Sequence, residues 1–203
     1  MVRKKTEIRQ EEIKSAVLEI ISNEGFNKLS TRNLAKKVGI TEGAIFRHFK
    51  SKRDIILNIM EDVKVELQDT LRAIAVSAEP ANERLKQFLY THINFLNKHL
   101  GITILLFSEA AYMNDITLKQ QLNEILTEQK SLISKIVHDG KKEGIWNKEV
   151  IGNNFAMLYL GIPLSFNIEI VLNRNKVDVN DFCDKMLKLL TSTLTQQSSE
   201  VVK

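Results

Sequence analysis

Residues Ser30 to Phe49 read STRNLAKKVGITEGAIFRHF, and their spacing decides the fold. The hydroxyl of Ser30 or of Thr31 can cap a helix by accepting from a free backbone N–H of its first turn. Leu34 and Ala35 then face inward. Gly39 stands where that helix must stop and φ turns positive, a conformation that costs glycine little. Thr41 restarts a helix whose inward positions are Ile45 and Phe49, four apart. Two short helices joined by a glycine turn make the helix-turn-helix layout, whose second helix enters the major groove of DNA. An ordinary αα-hairpin has the same spacing, so the pattern by itself leaves both readings open.

Charge leans toward the first. Residues 1–53 hold 13 Lys+Arg against 6 Asp+Glu, a balance of +7, while 54–203 hold 16 against 19, a balance of −3. A basic head on a mildly acidic body points to a polyanion at the head. The 203 residues, 43% of them hydrophobic, suffice for one large or two small domains with a sizeable core. Two prolines and eight glycines suit an all-α protein. One cysteine, Cys183, excludes an internal disulfide and a multi-cysteine zinc site, so a reducing cytoplasm is the expected compartment. The opening MVRKKTEIRQEE lacks the apolar run of a signal peptide. The longest apolar tract, Phe155 to Leu172, is interrupted by Gly161, Pro163, Asn167 and Glu169. It reads as a buried helix and not as a membrane span.

Periodicity sets out the remaining helices. Ile13, Ala16, Val17, Ile20 and Ile21 form one buried stripe of a helix from about 6 to 23, which Gly25 ends. A fourth helix over 51–77 carries Ile56, Ile59, Met60, Val63 and Leu67 on one face and spans about 40 Å. Glu79-Pro80-Ala81 breaks it. Five more helices are expected at 82–98, 101–113, 115–142, 149–173 and 179–196, the last capped by Asp178. The tail from Gln196 is polar and expected to fray.

The longer segment STRNLAKKVGITEGAIFRHFKSKRDII closely resembles the signature of the TetR/AcrR family of bacterial repressors. The matching residues are Thr31-Arg32, Leu34-Ala35, Gly39, Ile45-Phe46, His48-Phe49 and Lys52. The close resemblance covers roughly residues 7–60, and beyond that it is architectural. It implies an all-α, nine-helix protein. A DNA-binding head at 6–66, with its motif at 30–49, would precede an effector-binding and dimerisation body at 67–203.

The resemblance also implies roles for individual residues. Thr31 and Arg32, at a helix N-terminus, would approach the phosphate backbone. Thr41, Glu42, Gly43 and Ala44 would open the recognition helix toward base edges. Phe46 and Arg47 occupy positions where the family often carries aromatic residues near phosphates, and Lys52 would meet a phosphate. The chain departs from the family at Phe46, which has no hydroxyl where tyrosine is usual. Arg47 adds a charge for phosphate or for guanine O6 and N7. Glu42 either accepts from cytosine N4 or, the favoured reading, supports the helix N-terminus. His48 either touches DNA or closes the hairpin internally.

In such a body, helices five to eight would enclose an effector and helices eight and nine would pair with a second subunit. Phe88, His92, Phe95 and His99 recur along the fifth helix, Phe107 and Tyr112 lie on the sixth, and Met157 and Phe166 on the eighth. They can line an apolar pocket, although plain core packing is the commoner role of such stripes. The few charges favour a neutral or anionic lipophilic ligand, with Glu109 the candidate for meeting a cationic one. Gly161, Ser165 and Ala156 would allow close helix approach, and Phe182, Met186, Leu189 and Thr193 give one apolar stripe, as in an intersubunit four-helix bundle.

No catalytic constellation stands out. His48, His92, His99 and His138 carry no metalloprotease spacing, and His92 and His99 are about 10 Å apart along a helix, too far to share a metal unaided. No metal, cofactor or enzymatic activity is expected. The reading that results is a dimeric repressor on a near-palindromic operator, released by a small lipophilic effector. Its alternative is a DNA-binding protein without a small-molecule inducer, regulated by protein contacts or architectural.

Overall fold

The computed structural model describes residues 6–112, 115–173 and 177–195; the side chains of 110–112 and 171 lie outside that description, as does the polar tail from Gln196. Nine helices account for the described residues apart from turns and one 3-10 turn, Phe26–Lys28. They are α1 (Thr6–Glu24), α2 (Thr31–Val38), α3 (Glu42–Ile45), α4 (52–76), α5 (Ala81–Lys98), α6 (Ile102–Tyr112), α7 (Ile116–Lys142), α8 (Gly152–Asn173) and α9 (Val179–Thr195). Helix α4 is α-helical over Lys52–Asp62 and Asp69–Val76, with a π-helical stretch, Val63–Gln68, between them.

Two compact units divide the chain: 1–64 with 98–123, and 65–97 with 124–203. The first boundary falls at 64/65. The segment 98–123, however, which the sequence places in the body, clusters with the head. Gly101 contributes to this. With φ at +87° it brings the start of α6 so close to α1 that a Cβ there would lie 2.8 Å from the Leu18 carbonyl oxygen.

In the first unit, Ile13, Val17, Ile20 and Ile21 of α1 form the buried core with Leu34, Ala35, Ile45, Phe49, Ile56 and Ile59. The positions that the stripe of α1 marked for burial are all buried. Lys14 is also nearly buried, and its ammonium is paired with Glu11 and with Asp62 of α4.

The second unit is built on Leu71, Leu85, Phe88, Leu89, Ile133, Ile136, Tyr159, Phe166, Leu190 and Leu194. Two buried polar groups tie its helices together. Gln68, at the end of the π stretch, donates to the Ile125 carbonyl at 3.1 Å and accepts from Gln129 at 3.0 Å. Arg84 donates to the Ala75 carbonyl at 2.8 Å and pairs with Asp139 and Glu143. Asp178 caps α9, accepting from the amides of Asn180 and Asp181. No described helix is long and apolar enough to cross a membrane.

Candidate nucleic-acid interface and body core

Of the two hydroxyls that could cap α2, it is Ser30 that accepts, from the Asn33 amide at 3.2 Å. Gly39 ends the helix at φ 71°, ψ 36°, and the Ile40 amide bonds back to the Ala35 carbonyl at 3.0 Å. Thr41 caps α3 by accepting from the Ala44 amide at 3.2 Å. Helix α3 itself is a single turn. It continues as a tight turn in which the amides of Arg47 and His48 bond to the carbonyls three residues back. Gly43 and β-branched Ile45 lend the segment little helix propensity, so the tighter ladder takes over.

This local geometry sorts the motif into two faces. Leu34, Ala35, Ile45 and Phe49 are buried, whereas Arg32, Thr41, Glu42, Gly43, Phe46 and Arg47 are exposed, with Thr31 and Ala44 half-buried. Glu42 occupies the first helical position of α3, where a negative charge complements the helix dipole. His48 is half-buried with its Nδ1 enclosed, and its backbone carbonyl accepts from Gln10 of α1 at 3.1 Å. Lys52 has two neighbours within its own unit. Its ammonium lies 2.7 Å from the Glu109 carboxylate of α6 and 4.9 Å from the centre of the Phe26 ring. Glu109 is thus occupied by a lysine of its own chain.

The eight residues expected around an effector fall in both compact units. Phe88 and His92 are buried side by side on α5 and meet through Tyr159 of α8. Phe88 packs edge-on against that ring at 5.6 Å, and the Tyr159 hydroxyl lies 3.4 Å from His92 Nδ1. Phe95 is half-buried. Phe166 is fully buried with its ring 5.0 Å from Phe182. His99 and Phe107 belong to the first unit, and Phe107 is 38% exposed. The Tyr112 side chain lies outside the described residues.

Met157 requires a correction: it is 58% exposed and cannot line a core with Phe166. The two are nine residues apart, about two and a half turns, which puts them on opposite sides of α8. Ala156 likewise is buried, whereas Gly161 and Ser165 are exposed. Tyr159 was missed, yet Phe155, Tyr159, Ile162 and Phe166 recur at the spacing of one helical face.

Burial pushes the His92 imidazole down to about 4 and the Tyr159 phenol well up, so both are neutral near pH 7. Burial likewise raises the Cys183 thiol to about 11, which leaves it a protonated core residue. The His92 shift has a definite consequence. Between pH 6.5 and about 4 the unfolded chain binds a proton at this position that the folded chain does not. Its contribution is therefore fully present above pH 6.5 and is lost as pH falls toward 4, at ~1.4 kcal/mol per pH unit. Urea unfolding of His92→Gln should show a flatter pH dependence across that window than the wild type. Parallel curves would remove His92 from the titration.

Comparison with known proteins agrees with this geometry. Residues 13–59 match the model of the bacterial regulatory proteins of the tetR family, and residues 60–193 match that of the YsiA-like protein C-terminal region. The chain belongs to the TetR family of DNA-binding transcriptional regulators, whose members typically act as dimers and are generally not enzymes. It is 26% identical to the nucleoid occlusion factor SlmA of Vibrio campbellii over 142 residues, 70% of this chain and 72% of the relative. Its fold is similar to that of the ketosteroid transcriptional regulator KstR2 of Mycobacterium tuberculosis, with a TM-score of 0.79 at 15% identity, covering 97% and 98% of the two chains. It is also similar to the fatty acid degradation regulator FadR of Bacillus halodurans, with a TM-score of 0.75 at 19% identity, covering 97% and 100%.

Proposed function

We propose that this chain is a dimeric repressor whose two heads occupy successive major grooves of a near-palindromic operator, and that a lipophilic effector in the body releases it. The division of the motif into a buried rear and an exposed front carries the DNA half of this reading. Thr31 and Arg32 approach phosphate at the start of α2, while Thr41, Glu42, Gly43 and Ala44 present the recognition turn, with Phe46 and Arg47 beside it. Arg32→Ala is expected to weaken binding to all sequences and to flatten the salt dependence by about 0.9 in slope. Arg47→Ala is expected to relax preference at one base pair, by ~1–3 kcal/mol. Unaltered salt slope and base preference in both variants would remove this face from the interface.

Exposed apolar side chains on the last two helices support the dimer. Leu164, Ile168 and Leu172 follow one another along α8 beside open Gly161, and Leu189 is exposed on α9. A contiguous apolar surface of this kind needs a partner. The effector half rests on the aromatic core around Phe88, Tyr159 and Phe166, with His92 and Tyr159 as a neutral polar handle. Two proteins of similar fold are named for fatty acid degradation and for ketosteroids, so fatty acids and steroids are the first classes to test. Release requires that the ligand favour one state of the regulator over the other, since tight binding alone shifts nothing.

A second reading is a DNA-binding protein without a small-molecule inducer, regulated by protein contacts or architectural, to which the nucleoid occlusion relatives lend weak support. One experiment separates the two. Bound DNA is selected from a random pool, and the complex is then titrated with fatty acids and steroids. Release by either class supports the inducible repressor. A stable complex throughout, with no thermal stabilisation of the protein, favours the second reading.

A further inference from the structure

Two neighbouring cations at the start of α4, Lys52 and Arg53, each meet a carboxylate of the 98–123 segment, within the same compact unit. Arg53 pairs with Asp115, whose carboxyl is held down to about 2, first by the Arg53 hydrogen bond and then by the Leu118 amide. Lys52 pairs with Glu109. These two pairs differ in burial. The Asp115 side chain is 19% exposed and Arg53 48%, whereas the Glu109 side chain is 5% exposed and Lys52 41%. Glu109 is thus a nearly buried anion that depends on a half-exposed lysine at the edge of the recognition motif.

We propose that Glu109 is a positioning residue that sets DNA affinity by pairing with Lys52 and withholding its charge from the phosphate backbone. This rests on the reading that the exposed front of the motif meets DNA. An ion pair at 2.7 Å offsets positive charge at the place where the resemblance put a phosphate contact. Moving the ammonium to a phosphate would strand a nearly buried carboxylate, and an unpaired buried charge costs more than an exposed ion pair returns. The Phe26 ring beneath the ammonium holds it in the same place. Lys52 therefore does not count among the cations that release counterions when DNA binds. It becomes available when α6 carries Glu109 away.

The test uses the full chain, a short mixed-sequence duplex and a salt series read by fluorescence anisotropy. Glutamine keeps the shape of Glu109 and removes its charge. Glu109→Gln should steepen the salt slope by about 0.9, the value of one phosphate contact, and tighten binding at low salt. Lys52→Gln alone should change the slope by much less, and Lys52→Gln with Glu109→Gln should return it to the wild-type value. Glu109→Asp, which keeps the charge and shortens its reach, should fall between wild type and Glu109→Gln and serves if the glutamine variant does not fold. Arg32→Ala is the control for the interface. If Arg32→Ala flattens the slope while neither Glu109 variant steepens it, the inference fails and the DNA face stands. If Arg32→Ala is also without effect, both fail. A steep slope that survives in the double variant overturns the assignment to Lys52.

Discussion

Phe88→Ala is expected to cost the protein about 3–5 kcal/mol, the range of large-to-small aromatic truncations in a filled core. Phe88 is fully buried, and its ring stands edge-on to Tyr159. Removing it deletes that contact and leaves a space which the surrounding helices refill only in part. Met157→Ala, on the exposed side of α8, should stay within about 0.5 kcal/mol. Urea unfolding with and without a fatty acid or steroid ligand measures both. A large loss at Phe88 that ligand partly restores would place the ligand in this core. A loss below about 1 kcal/mol would mean that the core around Phe88 is loosely filled, against the packing described above.

With the dimer interface proposed above on α8 and α9, Ile168→Glu is expected to give monomers. Ile168 is exposed on the apolar stripe of α8. A carboxylate there is harmless in the monomer, but two would face apolar surface in a symmetric interface. The desolvation of an unpaired charge should weaken association by ~3 kcal/mol or more, a hundredfold or greater rise in dissociation constant. Gly161→Trp is the steric counterpart. A Cβ at Gly161 meets nothing within 4 Å in its own subunit, so overpacking, ~1–3 kcal/mol, would come from the partner subunit. Sedimentation gives the oligomeric state and thermal melting the integrity of the subunit. Operator affinity should fall as dimerisation is lost, because each head then loses the effective concentration supplied by its mate. An Ile168→Glu protein that remains dimeric at unchanged affinity would exclude this stripe from the interface.

The helices were legible in the residues because caps and breaks act over a few neighbours. Ser30, Thr41 and Asp178 each bond an amide two or three residues on, and Gly39 needs only its own φ. The apolar periods of α1 and α4 likewise pointed to the residues that are buried. Helix α3 shrank to one turn because a short segment with Gly43 has little propensity of its own. Met157 was taken for a lining residue and Tyr159 was passed over, although the angular period of α8 separates them. Composition suggested pocket lining, while burial follows the angle around the helix.

By itself the sequence determined the family motif, the order of the helices and the sorting of the motif into a buried rear and an exposed front. Each of these follows from interactions along the chain within a turn or two. Only the tertiary structure decided that Lys52 is held by Glu109, that Arg53 is held by Asp115 across 62 positions of sequence, and that 98–123 joins the head. Such pairings depend on which faces of distant helices are brought together. That is set where the start of α6 closes on α1, with Gly101 against Leu18, Ile21 and Ser22, and a charge pattern read along one helix carries no record of its partner on another.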